Sequence, residues 1–150
     1  MKRAILVGIF LNVLFSCKKE TATAPKVVVP TEPVIEECYR GFLNKDTFLL
    51  SIHRQGNEVR NGKLEYRFFE KDKSAGTLVG QIKGDTLFAA YSFVSEGKPA
   101  TREVAFLKKG DTYTEGFGDV ADDNHGNITF KDTKKLGFDG KVVLTKSKCN

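Results

Sequence analysis

Arg102-Glu103-Val104-Ala105-Phe106-Leu107-Lys108-Lys109-Gly110-Asp111-Thr112 is the stretch on which the fold turns. Val104 and Phe106 fall two apart, the period of a strand with one dry and one wet face. The run then stops at Lys-Gly-Asp-Thr. Gly tolerates positive φ, Asp bonds its own backbone and Thr starts the next strand, so the tetrapeptide reads as a hairpin turn. The same four residues recur at Lys83-Gly84-Asp85-Thr86, and Asn44-Lys45-Asp46-Thr47 and Lys131-Asp132-Thr133 echo them. Their spacing varies and the flanking strands differ, so this is repeated turn chemistry and not an internal sequence repeat.

Working outward, alternating runs recur between these signals: 38–43, 47–54, 63–70, 76–83, 86–94, 102–108, 112–120, 128–131 and 141–146. Leu64, Tyr66 and Phe68 alternate with Glu65 and Arg67. No stretch keeps a helical period. The sequence therefore predicts an all-β domain over residues 38–150, an antiparallel up-and-down β-barrel of about eight strands, because closure removes exposed sheet edges. A two-sheet β-sandwich is the alternative. Tyr66, Phe68, Phe88, Tyr91, Phe93, Phe106, Tyr113, Phe117 and Phe130 suffice to fill a small barrel, which at eight strands is either filled or holds one small ligand.

The first residues set an address. Met1-Lys2-Arg3 is a basic start, Ala4 to Phe15 an apolar run, and Lys18-Lys19-Glu20 follow Cys17 at once. That run is shorter than the roughly 20 residues a spanning helix needs, so residues 1–16 read as a removed signal peptide. Leu14-Phe15-Ser16-Cys17 resembles the bacterial lipobox, with Phe15 the departure. The resemblance implies that Cys17 becomes the lipidated first residue of a cell-envelope, outer membrane lipoprotein, on its periplasmic or surface face. An ordinary secretory signal that leaves a stray cysteine is the alternative. Residues 17–37 hold Pro25, Pro30 and Pro33 among Thr, Val and Glu, a composition that reads as a tether reaching up to roughly 60 Å.

Three cysteines become an even pair once Cys17 is assigned to lipid. Cys38 and Cys149 then bracket the strand series, and a disulfide between them ties its two ends in an oxidising compartment; two free thiols are the alternative. Charge is less informative. The whole chain carries a net +5, and loss of Lys2 and Arg3 leaves 22 basic against 19 acidic residues. Lys18-Lys19, Lys108-Lys109 and Lys134-Lys135 are scattered pairs, which with an envelope location speaks against nucleic acid.

Catalytic patterns are sparse. Nucleophilic catalysis needs a Ser or Cys within reach of a base, yet no nucleophile-elbow motif occurs and the only histidines are His53 and His125. His53 reads as a half-exposed strand residue. Glu36-Glu37 and Asp122-Asp123 are adjacent acids, and strand neighbours point to opposite faces. Asp119, Asp122, Asp123, Asn124 and Asn127 offer hard oxygens, but counting from Asp122 puts Asn127 and Thr133 where an EF-hand needs Gly and Glu. Neither histidine has zinc-ligand spacing to a cysteine, and no phosphate-cradling glycine loop is present. No catalytic residue, metal or cofactor is expected.

Cys38-Tyr39, Phe69-Glu70-Lys71-Asp72-Lys73, Lys83-Gly84-Asp85-Thr86-Leu87, Ser95-Glu96-Gly97, Arg102 to Asp111 and Cys149 together resemble a family of small Bacteroidota lipoproteins. That resemblance implies a membrane-anchored β domain with a terminal Cys pair and leaves the activity open. Ser95-Glu96-Gly97 and Phe106-Leu107-Lys108-Lys109-Gly110-Asp111 are also similar to the Ser-Gly loop and aromatic-Lys-Gly strand end of periplasmic lysozyme inhibitors, although Glu96 interrupts the pair and tryptophan is missing. That likeness implies that Ser95 and Lys109 enter an enzyme's acidic cleft. Function thus reads as non-catalytic binding of a protein or a small apolar ligand, with an envelope enzyme as the other class. Barrels keep function on loops or in the cavity, and Ser95, Glu96, Gly97, Lys98 and Pro99, with Lys109, are the candidate contact, the Ser95–Ala100 segment departing from the tight-turn pattern.

Overall fold

The Lys-Gly-Asp-Thr signals are two-residue hairpin loops in the computed structural model, which describes residues 32–71 and 73–149. Lys83 pairs with Thr86 and Lys109 with Thr112. Gly84 and Gly110 hold φ at +60° and +58°, the demand that a type II′ turn makes of its first central residue. The signal segment 1–16, Cys17 and residues 18–31 of the tether lie outside the described residues.

The described residues form ten strands: β1 Val34–Leu43, β2 Asp46–Gln55, β3 Glu58–Arg67, β4 Ser74–Lys83, β5 Thr86–Ser95, β6 Lys98–Lys109, β7 Thr112–Gly116, β8 Val120–Asp122, β9 Asn127–Phe130 and β10 Val143–Ser147. Each strand from β1 to β7 pairs antiparallel with the next, and β10 lies between β7 and β1. The result is a closed antiparallel eight-stranded barrel, not a sandwich. The β8–β9 hairpin stands outside that ring and touches it where β9 runs parallel to Thr101 and Arg102 of β6.

Three segments of the wall differ from the sequence reading. β1 begins at Val34, where residues 34–37 pair with 52–55 of β2, so the end of the expected tether is barrel wall. Polar Glu36 and Glu37 mask that strand because an interior glutamate breaks the apolar alternation. The 112–120 run leaves the wall at Gly116, and 128–131 is half of the outer hairpin instead of a wall strand. Phe117 bridges Gly137 in both directions at 2.9 Å, and this pairing turns the chain out of the ring. The third is Ser95–Ala100. Ser95 pairs with Lys98 and Val94 with Pro99, so the segment is a tight turn like the others. Pro99 is tolerated because no described strand flanks β6 on its other side there.

Inside, Tyr39, Leu50, Ile52, Leu64, Leu78, Leu87, Tyr91, Phe106 and Tyr113 are fully buried. Burial of a large apolar side chain contributes roughly 1.5–3 kcal/mol. Tyr39 and Tyr113 meet edge to face with centroids 4.8 Å apart. The waist of the barrel is therefore filled. Four aromatics expected in this core lie elsewhere: Phe68 and Phe117 at one mouth, 40% and 58% exposed, Phe88 in the opposite phase to the buried Leu87 and Ala89, and Phe130 on the outer β8–β9 hairpin.

Glu96 has φ +49° beside Gly97 at +77°, so a glutamate occupies the first central position of a type I′ turn that Asn or Gly fills without strain. Glu96→Asn is expected to stabilise the domain by about 0.5–1 kcal/mol. A thermal melt that shows no rise in Tm counts against strain at this turn.

Candidate functional site

An antiparallel meander sends alternate turns to opposite ends of a barrel. The β1–β2, β3–β4 and β5–β6 connections, with the long excursion from β7 to β10, share one mouth; the chain begins β1 at the other. At the shared mouth the interior opens into a cavity of about 460 Å³, within the size range of small-molecule sites. Leu43 and Phe48 from the β1–β2 hairpin, Phe93 from β5 and Phe68 beyond β3 supply apolar wall. Phe117, Gly140, Lys141 and Val142 complete it from the excursion that the sequence reading assigned partly to wall strands.

The floor is polar. Arg102 on β6 is in phase with Val104 and Phe106, so its side chain turns inward. Its cross-strand partner is Tyr91, and the guanidinium carbon sits 5.1 Å from the Tyr66 ring centroid and 5.6 Å from that of Tyr91. Both separations suit a cation–π contact. Among the described residues the buried Arg102 Nε has no hydrogen-bond partner. Arg102 Nη2 lies 3.6 Å from Glu115 Oε1, while the Tyr66 hydroxyl donates to that same oxygen at 2.8 Å. Burial pushes the Glu115 carboxyl above its ordinary range, against the opposing pull of Tyr66 and Arg102. Burial and the neighbouring Glu115 push the Tyr66 hydroxyl well up, so it stays a protonated donor. Ser74 Oγ and the Tyr91 hydroxyl are 2.9 Å apart.

The opposite end is plugged. Glu37 points inward while its neighbour Glu36 points out to His53 at 3.1 Å, the split expected of adjacent strand residues. Tyr39 donates to Glu37 at 3.2 Å, and Lys108, Arg54 and Lys146 approach the carboxylate at 3.4, 3.6 and 4.0 Å. Burial disfavours the Glu37 charge, but Lys108, Arg54 and Tyr39 outweigh it and hold the carboxyl below its ordinary range. This arrangement compensates a buried charge with three cations and a hydroxyl. Glu36 also neighbours the Cys38 and Cys149 sulfurs, which are bonded to each other and present no thiolate.

No family model, curated protein or solved structure matches the chain. What the site can do therefore follows from its own residues. The expected contact residues divide between the ends of the barrel: Ser95, Glu96, Gly97, Lys98 and Pro99 form the hairpin tip beyond Phe93 and Arg102 at the mouth, whereas Lys109 starts the β6–β7 turn at the plugged end. Lys98 and Lys109 terminate a 12-residue strand, so Ser95 and Lys109 do not share a surface. His53 is half-exposed on the outer wall. Asp123 accepts from the backbone N–H groups of His125 and Asn127 at 2.7 and 3.0 Å, so the acidic loop closes on itself.

Sequence reasoning missed Arg102, Glu115 and Glu37. A signal for the first was present: Arg102, Val104, Phe106 and Lys108 occupy one phase of β6, a cation at each end of an inward apolar stripe. A charge in phase with a core stripe marks a barrel end.

Proposed function

We propose that this chain is a lipid-anchored envelope protein whose barrel binds a small apolar molecule in its open mouth, without turnover. The observation that carries the reading is the cavity of about 460 Å³ with aromatic walls above a packed waist. Apolar walls with a few convergent polar groups are the usual construction of a small-molecule site. Turnover needs more than Glu115 and Arg102 supply: among the described residues no histidine or cysteine lines the cavity, and the Ser74 hydroxyl is engaged by Tyr91. A protein partner meeting the Ser95–Ala100 tip is a second reading, favoured by the strained Glu96 at that rim. Enzyme inhibition through Ser95 and Lys109 acting together lacks a common surface.

Anchoring rests on the Leu14-Phe15-Ser16-Cys17 segment and the charges after it. Intact mass of the membrane-fraction protein is expected to show a chain that starts at Cys17 with a lipid-sized addition. A product retaining Met1, or a soluble unmodified one, argues for the secretory alternative.

Binding is tested with N-phenyl-1-naphthylamine, a neutral apolar fluorophore, titrated into the unacylated C17A chain. Saturable, blue-shifted emission is expected. Val142→Trp, which places a large ring in the cavity, is expected to weaken it about tenfold or more at unchanged Tm. Equal affinity in both proteins would remove the mouth as the site, and absence of saturable binding would remove the ligand-carrier reading.

A further inference from the structure

Resting on the ligand-binding reading of the mouth, we infer that its ligand is an amphiphile with a single acidic head, whose carboxylate meets the Arg102 guanidinium on the floor while its apolar chain lies along Phe48, Phe93 and Phe117.

Three independent features of the floor point to an acidic head. The first is donor capacity. Arg102 carries five N–H donors in a fixed fork, its Nε is buried with no partner among the described residues, and its nearest acid stands at 3.6 Å. Glu115 also takes the Tyr66 hydroxyl on that oxygen at 2.8 Å, so it serves the guanidinium as a long ion pair and leaves most of the fork's donors without an acceptor. Buried donors of a charged group call for acceptors, and a carboxylate matches the guanidinium fork. The second is preorganisation. Tyr91 is the cross-strand partner of Arg102, and the guanidinium carbon lies over the Tyr66 and Tyr91 rings at 5.1 and 5.6 Å from their centroids. Two rings restrain the position of the guanidinium before any ligand arrives, and its N–H groups are the part that a ligand's acceptor can meet.

The third is charge. Among the described residues the cavity lining contains two basic residues, Arg102 and Lys141, against one acid, Glu115. A monoanion brings that set to balance, a neutral head leaves the excess in place, and a cation adds to it. Lys141 sits at the exposed rim, where it favours approach of an anion without desolvation, while Arg102 waits at the floor. The apolar chain belongs with the aromatic wall and the head with the floor, because the reverse arrangement buries the apolar tail against a guanidinium.

The decisive experiment displaces N-phenyl-1-naphthylamine from the unacylated C17A chain at pH 7.5 with dodecanoate, dodecanol and dodecyltrimethylammonium, each below its micellar concentration. Dodecanoate is expected to bind about tenfold tighter than dodecanol, and the ammonium more weakly than either. In Arg102→Met the preference of dodecanoate over dodecanol is expected to vanish while dodecanol affinity stays within about threefold. A measurement that needs no variant accompanies it: the Arg102 Nε–H resonance is expected to move on addition of dodecanoate and to stay in place with dodecanol. Equal binding of dodecanoate and dodecanol by the unsubstituted barrel overturns the acidic head and leaves the apolar cavity standing. Retention of the preference in Arg102→Met, or an unmoved Nε–H resonance, overturns Arg102 as the anchor. Failure of the fluorophore itself to bind overturns the cavity reading and this inference with it.

Discussion

Replacing Cys38 and Cys149 together with alanine is expected to lower the stability of the barrel by about 4–5 kcal/mol, an upper figure from the chain-entropy account of a loop this long. The bridge joins residues 111 apart in sequence, with Cα atoms separated by 5.2 Å, so it restricts nearly the whole unfolded domain. Its place in the folded state compounds the effect. β10 is five residues long and holds β1 through three residue pairs, Cys38–Ser147, Tyr39–Lys146 and Arg40–Thr145, whereas β1 and β2 pair along their full lengths. The disulfide thus clamps one of the two short seams that β10 makes on the ring, next to Ser147. Urea unfolding of the oxidised, reduced and doubly substituted chains should give one high and two similar low midpoints, with faster hydrogen exchange at Val143–Ser147 in the latter two. A loss below about 1 kcal/mol would show that strand pairing alone holds this seam.

A second large effect is expected inside the wall. Gly80 on β4 pairs with Val59 of β3 and Ala89 of β5. A Cβ at this position would overlap the Phe88 carbonyl oxygen and stand 2.6 Å from the Ala89 Cα. These are backbone atoms of a paired strand, so relief requires β4 and β5 to part. Gly80→Val is expected to cost more than about 3 kcal/mol, above ordinary overpacking where side chains can give way. Val79→Ala, one residue along on the exposed face, should stay within about 0.5 kcal/mol of the parent. Comparable melting of the two variants would mean that β4 and β5 separate at little cost, and that this stretch does not set the barrel's curvature.

Much of the architecture was legible because strands and turns are local. Alternation in 86–94 and 102–108 assigns β5 and β6, and Lys-Gly-Asp-Thr assigns the turns that flank them, since a type II′ hairpin depends on a few adjacent residues. The Cys38–Cys149 pairing was legible for a different reason, the parity left among three cysteines once the lipobox-like segment is read as claiming Cys17. Less local features were obscured. Val34–Glu37 hides as tether because Glu37 is an inward carboxylate whose compensating partners, Lys108, Arg54 and Lys146, are supplied by β6, β2 and β10. The tight form of Ser95–Ala100 was masked by Pro99, which disfavours strand pairing unless the far side of the strand is bare.

The candidate site divides along the same line. The sequence by itself determined an antiparallel all-β domain, expected as a barrel with a sandwich as the alternative, with aromatic content enough for a core and Cys38 and Cys149 bracketing it. Only the tertiary structure decided that the waist is packed and one mouth hollow, because that depends on how Phe68 and Phe117 are carried outward and how the excursion from Phe117 to Val142 returns. It also decided that Arg102, Tyr66, Tyr91 and Glu115, drawn from four strands, converge on one floor. Alternation along a chain says which way a side chain faces. Which residues it meets across the interior is fixed by barrel closure, a property of all eight strands at once.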